Sequence, residues 1–324
     1  MTLPSGRTPQ GGLGRLVVVT ALFALMAPVA SAAAPLAALL LVSRPRTTRE
    51  VVFAGVAAGL SVWWLLQPGD LPDQLLKATV VLTTTVFVVM TLRTGISFLH
   101  RALLALGGAT AGVSVLLAFL GSSWGELGWW VEHRTGLVVR EVTARLGAMS
   151  ESGGDSGSGI SSATAEQLEV FFGTFVRLTA DYYPAVMTLV LLGGLAIATA
   201  IYHRVAGNLV GRPLGRFQLF RFSEHLGWMA VVSLAVVLIP KLAAVKLTAA
   251  NILVVVGTLY AVRGAAVAAF GIALVGGMNF FLWALFAVIF FMMLPVFVGG
   301  AILLGVLDTG VDFRRRWTAP RVGK

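Results

Sequence analysis

The stretch that decides the class of this protein runs from Leu247 to Leu307 and reads LTAANILVVVGTLYAVRGAAVAAFGIALVGGMNFFLWALFAVIFFMMLPVFVGGAILLGVL. It contains a single charged residue, Arg263. Soluble chains carry roughly 25% charged residues, so a soluble domain does not leave so long a run uncharged. About 20 consecutive apolar residues are enough to cross a hydrocarbon core about 30 Å thick. The stretch therefore predicts membrane-spanning helices.

The rest of the chain has the same character. Its 324 residues are 57% hydrophobic and only 12% charged. The apolar runs lack the period-2 alternation of membrane barrel strands, so they predict helices. The chain contains no cysteine, which excludes disulfides and thiolate chemistry. We predict an all-α fold, a polytopic helical membrane protein with about eight to ten transmembrane helices.

Composition divides the chain into five segments. They are a disordered N-terminus at 1–12, N-terminal membrane helices at 13–121, an extracytoplasmic amphipathic segment at 122–182, C-terminal membrane helices at 183–312 and a basic cytoplasmic tail at 313–324. Within the third segment, residues 150–162 are rich in Gly and Ser and predict a flexible linker. The helix before that linker has apolar residues at three- and four-residue spacing and tryptophans at its start. We therefore expect this helix to lie on the membrane surface.

Two apolar runs contain an internal break. Pro28 and Pro35 interrupt the run 16–42, and Arg263 with the glycine after it interrupts the run 247–277. We predict each run as a hairpin of two short passes, which gives ten crossings. Eight crossings result if one of the two runs is re-entrant.

The basic residues set the orientation, because Lys and Arg near the ends of spans favour the cytoplasmic side. With both termini inside, the inner side holds 17 of the 24 basic residues and the outer side holds 10 of the 14 acidic ones. The inner side then includes the loops 43–50, 93–101 and 203–224. This distribution accounts for the net charge of +10 without nucleic acid as a partner. We expect the lipid bilayer of the bacterial cytoplasmic membrane as the environment.

The sequence lacks the motifs of common catalytic and metal sites. It has no Gly-x-x-x-x-Gly-Lys-Ser/Thr loop for phosphates and no His-Glu-x-x-His pair for zinc. Its four histidines are scattered along the chain. An intramembrane enzyme has polar residues that point into the bundle, whereas these spans contain very few polar residues. We predict no enzymatic activity, no catalytic residue, no metal site and no cofactor.

A few polar and aromatic residues are candidates for binding a ligand. Asn251 and Asn279 both fall near the outer ends of their spans, and Trp283 follows Asn279 by one turn. Trp63 and Trp64 end a third span on the same side. Amides and aromatic rings of this kind line pockets for small, mostly apolar ligands. The same residues also fit a structural role, with the asparagines in helix hydrogen bonds and the tryptophans in the interfacial belt.

The last third of the chain carries the pattern of a family. The pattern comprises Asn251, then Leu259-Tyr260-x-x-Arg263-Gly264, then Gly305-x-x-Asp308-x-x-x-Asp312-Phe313-Arg314-Arg315. It resembles the YybS-like family of predicted bacterial multi-pass membrane proteins (domain of unknown function 2232). That family is in turn similar to the S components of energy-coupling-factor transporters, which bind the solute.

The resemblance implies a small helical bundle that captures a solute on the outer side of the membrane. A separate coupling membrane protein and ATPases would then drive transport. S components dock on their coupling protein through an Ala-x-x-x-Ala face of the first helix, and Ala30 and Ala34 have this spacing. Asp308 is either a further docking contact or the partner of one of the arginines at 314–316.

Two functions follow from these observations. The first is an S-component-like solute-binding or transport subunit. The second is a non-transporting membrane scaffold for cell-envelope assembly, anchored through 122–182. A solute-binding subunit should lose its ligand when Asn251 and Asn279 are changed to Leu, whereas a scaffold should be sensitive to changes around 124–149.

Overall fold

The computed structural model describes residues 12–93, 95–152, 162–274, 289 and 292–318. This part of the chain is helical and contains no β-strand, which confirms the predicted all-α fold. Its helices are α1 (Gly12–Met26), α2 (Ala30–Val42), α3 (Thr48–Leu66), α4 (Leu71–Arg93), α5 (Phe98–Phe119), α6 (Trp124–Ser152), α7 (Ser162–Asp181), α8 (Tyr183–Val205), α9 (His225–Leu238), α10 (Ala243–Leu274), α11 (Leu294–Val311) and α12 (Phe313–Thr318).

Six helical segments in the described ranges are long and apolar enough to cross a membrane. They are α3, α4, α5, α8, α11 and the segment Pro240–Leu274, which includes α10. Two further apolar helices, α2 and α9, have 13 and 14 residues, fewer than the roughly 20 that a crossing needs. The chain is thus a polytopic helical membrane protein, as predicted. The total number of crossings stays a prediction, because 275–288 lie outside the described residues.

The chain forms two compact units, residues 1–214 and residues 215–324. In the first unit, α2 packs against α3, α4 and α8. Small side chains make this packing close: a Cβ atom on Gly194 of α8 would overlap the backbone oxygen of Ser31 in α2. Between membrane helices such van der Waals contact replaces the hydrophobic effect, and small residues are what permit it. The alanine-rich sequence of α2 therefore explains its position among three neighbouring helices.

The run 16–42 forms two helices, α1 and α2, that separate at Pro28. Pro35 does not interrupt the run, since it lies inside α2. With a rise of 1.5 Å per residue, the two helices are about 23 and 20 Å long, shorter than the hydrocarbon core. The structure therefore does not support the prediction that each of them crosses the membrane alone.

Three basic loops of the first unit meet at one end of its helices. The carboxylate of Glu50 accepts a hydrogen bond from the backbone N–H of Gly207 at 2.8 Å. The side-chain amide of Asn208 donates to the backbone oxygen of Ser43 at 3.4 Å, and Arg101 donates to the backbone oxygen of Arg212 at 3.1 Å. These contacts join the loops 43–50, 93–101 and 206–212, as the charge distribution predicted. We call this end of the first unit the basic end.

The segment 122–182, which the sequence predicts to lie outside the membrane, contains a pair of helices, α6 and α7, that pack against each other. Helix α7 leads into α8 through Tyr182, whose N–H donates to Leu178 O at 3.0 Å and whose carbonyl accepts from Val186 N–H at 3.0 Å. Helical hydrogen bonds thus continue across the junction, and Pro184 lies in the first turn of α8, where proline is tolerated. The location of this helix pair relative to the membrane surface stays a prediction. Most of the predicted linker, 153–161, lies outside the described residues.

In the second unit, α10 is one helix of 32 residues that runs through Arg263. The predicted turn at this position, and the hairpin over 247–277, are therefore wrong. The reason is that glycine is well tolerated inside membrane helices, where it serves close packing. A Cβ atom on Gly264 would overlap the backbone oxygen of Ala301, and one on Gly305 would overlap that of Tyr260. Helices α10 and α11 thus touch backbone to backbone.

Candidate functional site

The predicted ligand-binding residues that the structure describes belong to different units: Trp63 and Trp64 to the first and Asn251 to the second. Trp63 is 63% exposed on α3, and the ammonium of Lys77 lies 5.9 Å from the ring of Trp64. Asn251 is buried in the second unit, where its amide nitrogen donates to the backbone oxygen of Leu247 at 3.0 Å. The sequence analysis predicts such a hydrogen bond within the helix if Asn251 has a structural role. Asn279 and Trp283 lie outside the described residues.

The predicted docking alanines face the interior of the first unit. Ala30 is 3% exposed, and Ala34 packs against a cluster formed by Val80, Leu106 and Leu191. In this arrangement neither side chain presents an open face to another protein. Docking through the Ala30 and Ala34 pair stays a prediction that would require α2 to move.

Asp308 lies at the centre of a buried ionic cluster in the second unit. Its side chain is 0% exposed, and Oδ2 lies 3.0 Å from Arg263 Nε and 3.3 Å from Arg314 Nη2. Arg263 Nη2 also donates to the backbone oxygen of Asp308 at 3.1 Å, and Arg314 Nη2 donates to that of Phe220 at 3.0 Å. The cluster therefore ties α10, α11, α12 and the segment before α9 together. Of the two roles considered for Asp308, the salt bridge is the one observed here.

A second ion pair, between Arg221 and Asp312, lies beside this cluster and is more exposed. Arg221 Nη2 contacts Asp312 Oδ1 at 2.5 Å, and Nη1 lies 3.3 Å from Oδ2. Partial desolvation works to raise the pKa of the Asp312 carboxyl, but the hydrogen bonds and charge of Arg221 outweigh it. The pKa therefore lies below the ordinary value of 3.8.

The lowered pKa of Asp312 predicts a pH dependence. Because the folded state binds the proton less tightly than the unfolded chain, the pair stabilises the fold above about pH 4. This contribution disappears as the pH falls through the folded-state pKa. We expect Asp312→Asn to lower the unfolding temperature slightly at pH 7 and not at pH 3, as followed by thermal unfolding in detergent. An equal difference at both pH values would contradict this explanation.

A groove between α6 and α7 has a volume of about 1150 Å³. Apolar side chains from both helices line it, among them Val139, Val170, Phe172 and Val176. A smaller cavity of about 410 Å³, lined by Trp129 and His133 among others, shares residues with it on both helices. We call the larger cavity the α6–α7 groove.

The α6–α7 groove also carries charges of both signs. Arg140 and Arg177 lie in its lining together with Glu132 and Asp181. Apolar walls bury the body of a ligand, while a few charged groups fix the orientation of its polar part. The groove is thus suited to binding an amphipathic molecule. Within the described ranges, no three His, Asp or Glu residues are placed to hold a metal ion.

A comparison with known proteins identifies the family. A family described as predicted membrane protein (DUF2232) matches residues 15–309. The chain belongs to this family. No curated protein and no solved structure matches the chain significantly. The DUF2232 match covers Arg263 and Asp308 and ends before Arg314, the third member of the buried cluster.

Sequence reasoning on this DUF2232 protein missed two of the features described above. Arg263 and Asp308 are 45 residues apart in sequence, and only the packing of α10 on α11 brings them together. The α6–α7 groove was missed because its walls come from two helices on either side of the Gly/Ser-rich stretch. One available signal was the repetition of apolar residues on both helices, which predicts that they pair.

Proposed function

We propose that this protein is a solute-binding subunit of a transport system and that it captures an amphipathic solute in the α6–α7 groove. The resemblance to S components suggests this class, with a separate coupling membrane protein and ATPases as partners. The bacterial cytoplasmic membrane is the location that such a system would have. The α6–α7 groove is the observation that carries the proposal.

The size and lining of the groove support this proposal. Binding pockets for small molecules have volumes of about 300–1,000 Å³ and mostly apolar walls, and the groove measures about 1150 Å³. The cavity between α4, α5, α6 and α8 is a poorer candidate, since its volume is about 110 Å³. The groove is thus large enough to accept a whole solute.

The attachment of the groove to the membrane also supports this proposal. Helix α7 is joined to the apolar span α8 through Tyr182, so one wall of the groove is connected directly to a candidate membrane helix. On the other helix, Arg134 of α6 forms an ion pair of 2.7 Å with Asp73 at the start of α4. A ligand bound in the groove would therefore be held close to the ends of two spans, which is where a transport subunit needs to capture it.

The test is to identify small molecules that co-purify with the full-length protein in lipid nanodiscs, by mass spectrometry. We expect a bound amphipathic compound in the wild type and its loss in Arg177→Gln and Phe172→Ala. Loss of one charge-assisted hydrogen bond weakens binding by roughly 10- to 100-fold. Arg145→Gln is the matched control, because Arg145 lies on α6 with its side chain 76% exposed and paired with Glu141. Equal retention in all variants would refute the α6–α7 groove as the binding site.

A scaffold for cell-envelope assembly is the second candidate, and the outer faces of the same two helices favour it. Phe171 and Phe175 of α7 are 62% and 50% exposed, and neither is among the lining residues of the α6–α7 groove. If α7 extends beyond the membrane, these side chains form an apolar face of the kind that a partner protein covers. The same nanodisc preparation distinguishes the two functions. A scaffold would retain envelope proteins and lose them in Phe171→Ser with Phe175→Ser, whereas a solute-binding subunit would keep its solute in that variant.

A further inference from the structure

The basic end of the first unit contains a buried arginine that lacks a counter-charge. Arg101 is 1% exposed. Among the residues that the structure describes, no carboxylate lies within ion-pair distance of its guanidinium. One of its nitrogens donates to the backbone oxygen of Arg212 at 3.1 Å, while the buried Nε has no described partner. Buried charges in proteins are normally paired, because removing an unpaired ion from water is costly.

The surroundings of Arg101 increase its positive potential. The exposed side chain of Arg212 is close enough to act electrostatically on Arg101. The imidazole of His203 is within electrostatic reach of Arg101 and interacts with the backbone of Arg212, while its buried Nδ1 makes no hydrogen bond of ordinary geometry to a described residue. Two like charges and an unsatisfied ring nitrogen thus lie together in one cluster.

An acidic residue at the same end, Glu50, is already engaged elsewhere. Glu50 is 4% exposed, and its carboxylate accepts hydrogen bonds from the backbone N–H groups of Arg46, at 2.7 Å, and Gly207, at 2.8 Å. Its role is to hold the loop 206–212 against the start of α3. It therefore does not supply the anion that Arg101 lacks.

The loop 206–212 is built to fit closely over Arg101. Tyr202 fixes the loop, because its hydroxyl donates to Asn208 O at 3.0 Å and accepts from Val210 N–H at 2.9 Å. Gly211 adopts a φ of +79°, and a Cβ atom there would lie 2.6 Å from Arg101 Nη1. Only glycine can adopt this backbone conformation and also come this close to the guanidinium of Arg101. The guanidinium is thus held in place by the protein.

We propose that the cluster of Arg101, His203 and Arg212 binds a phosphate group, and that this group is the head group of an anionic phospholipid. Guanidinium groups recognise phosphate through charge-assisted hydrogen bonds, and Arg101 has an unused donor for this purpose. The position fits a lipid, because Arg101 lies near the start of the span α5 and His203 near the end of the span α8. Lipid phosphates occupy this boundary between apolar span and water. The site is at the basic end of the first unit and is independent of the α6–α7 groove.

The test uses the purified, delipidated full-length protein in detergent. We measure its thermal unfolding and its bound lipids, by native mass spectrometry, while adding phosphatidylglycerol or phosphatidylcholine. We expect phosphatidylglycerol alone to stabilise the protein and to remain bound. Arg212→Gln should weaken this binding roughly tenfold or more, as expected for the loss of one charged contact to phosphate. Arg101→Gln should abolish it, and Arg212→Gln decides the matter if Arg101→Gln does not fold.

Arg204→Gln is the matched control, because Arg204 follows His203 in sequence and is exposed at the same end. This control should bind phosphatidylglycerol like the wild type. An equal loss in Arg204→Gln, or equal stabilisation by both lipids, would overturn the proposal. Titration with inorganic phosphate in phosphatidylcholine nanodiscs distinguishes the source. If phosphate alone protects the wild type but not Arg212→Gln, the phosphate-binding cluster stands and a soluble phosphate compound, rather than a lipid, is its ligand.

Discussion

Replacing Gly305 by Ala should disrupt the packing of the second unit. The added Cβ atom would overlap the backbone oxygen of Tyr260, and the contact lies between two helix backbones that have no flexible side chain to move aside. Overpacking of this kind costs about 3 kcal/mol or more at a rigid site. We expect Gly305→Ala, and likewise Gly264→Ala, to lower the unfolding free energy by at least that amount in a reversible denaturation in mixed detergent micelles.

Two other glycines on the same helices are matched controls for this prediction. A Cβ atom on Gly300 of α11 or on Gly257 of α10 would meet no atom within 4 Å. Because alanine has the higher helix propensity, Gly300→Ala and Gly257→Ala should leave the stability unchanged or raise it slightly. If all four variants lost similar stability, the cause would be a general need for glycine and not the close approach of α10 and α11.

The sequence predicted the helices well, because long apolar runs in a chain with 12% charged residues have few alternatives. The prediction of a turn at Arg263 is wrong. It rests on a charged residue that is followed by glycine. In water this pair is typical of a loop. Within α10 the charge is neutralised by Asp308 and the glycine permits contact with α11. The ion pair and the glycine contact both depend on the neighbouring helix α11. A sequence pattern confined to α10 cannot reveal them.

The binding features of the chain could be predicted only in part. The amphipathic character of 122–182 was evident from the spacing of its apolar residues, but the α6–α7 groove exists only where α6 and α7 pair. Trp63 and Asn251 were plausible ligand residues by type. Their exposure and hydrogen bonding in the structure fit the structural role that the sequence analysis also considered. Arg101 was noted only as one of several basic residues at a span end, because burial is what distinguishes it.

The basic loops show what a count of charges can predict. It predicts which side of the membrane a loop lies on, but not which basic residue forms a binding site. Arg44, Arg49 and Arg204 are exposed at the basic end, and the number of such residues is what predicts the orientation of the chain. Arg101 belongs to the same group by sequence, yet it is buried under the loop 206–212. The difference comes from Gly211 and Tyr202, which hold the loop 206–212 in contact with the guanidinium.

Replacing Asp308 by Asn should have the second large effect, because it would remove the buried carboxylate that contacts both Arg263 and Arg314. Breaking a buried ion pair by removing one partner costs about 3–5 kcal/mol, much of it from the uncompensated charge that remains. We expect a loss of this size for Asp308→Asn in the same reversible denaturation. Asp312→Asn is the control, since that carboxylate is more exposed and Asn tolerates its φ of 46°; it should change the stability little.

A double variant tests whether charge, and not shape, explains the effect of Asp308→Asn. If the lost negative charge is the cause, removal of one of the two positive charges should restore part of the stability. Arg263→Gln combined with Asp308→Asn should therefore lose less stability than the sum of the two single variants, because residues in contact are energetically coupled. Strict additivity would mean that Arg263 and Asp308 stabilise the fold independently. In that case the buried cluster would not be what holds α11 against α10, and the glycine contact alone would remain as the cause.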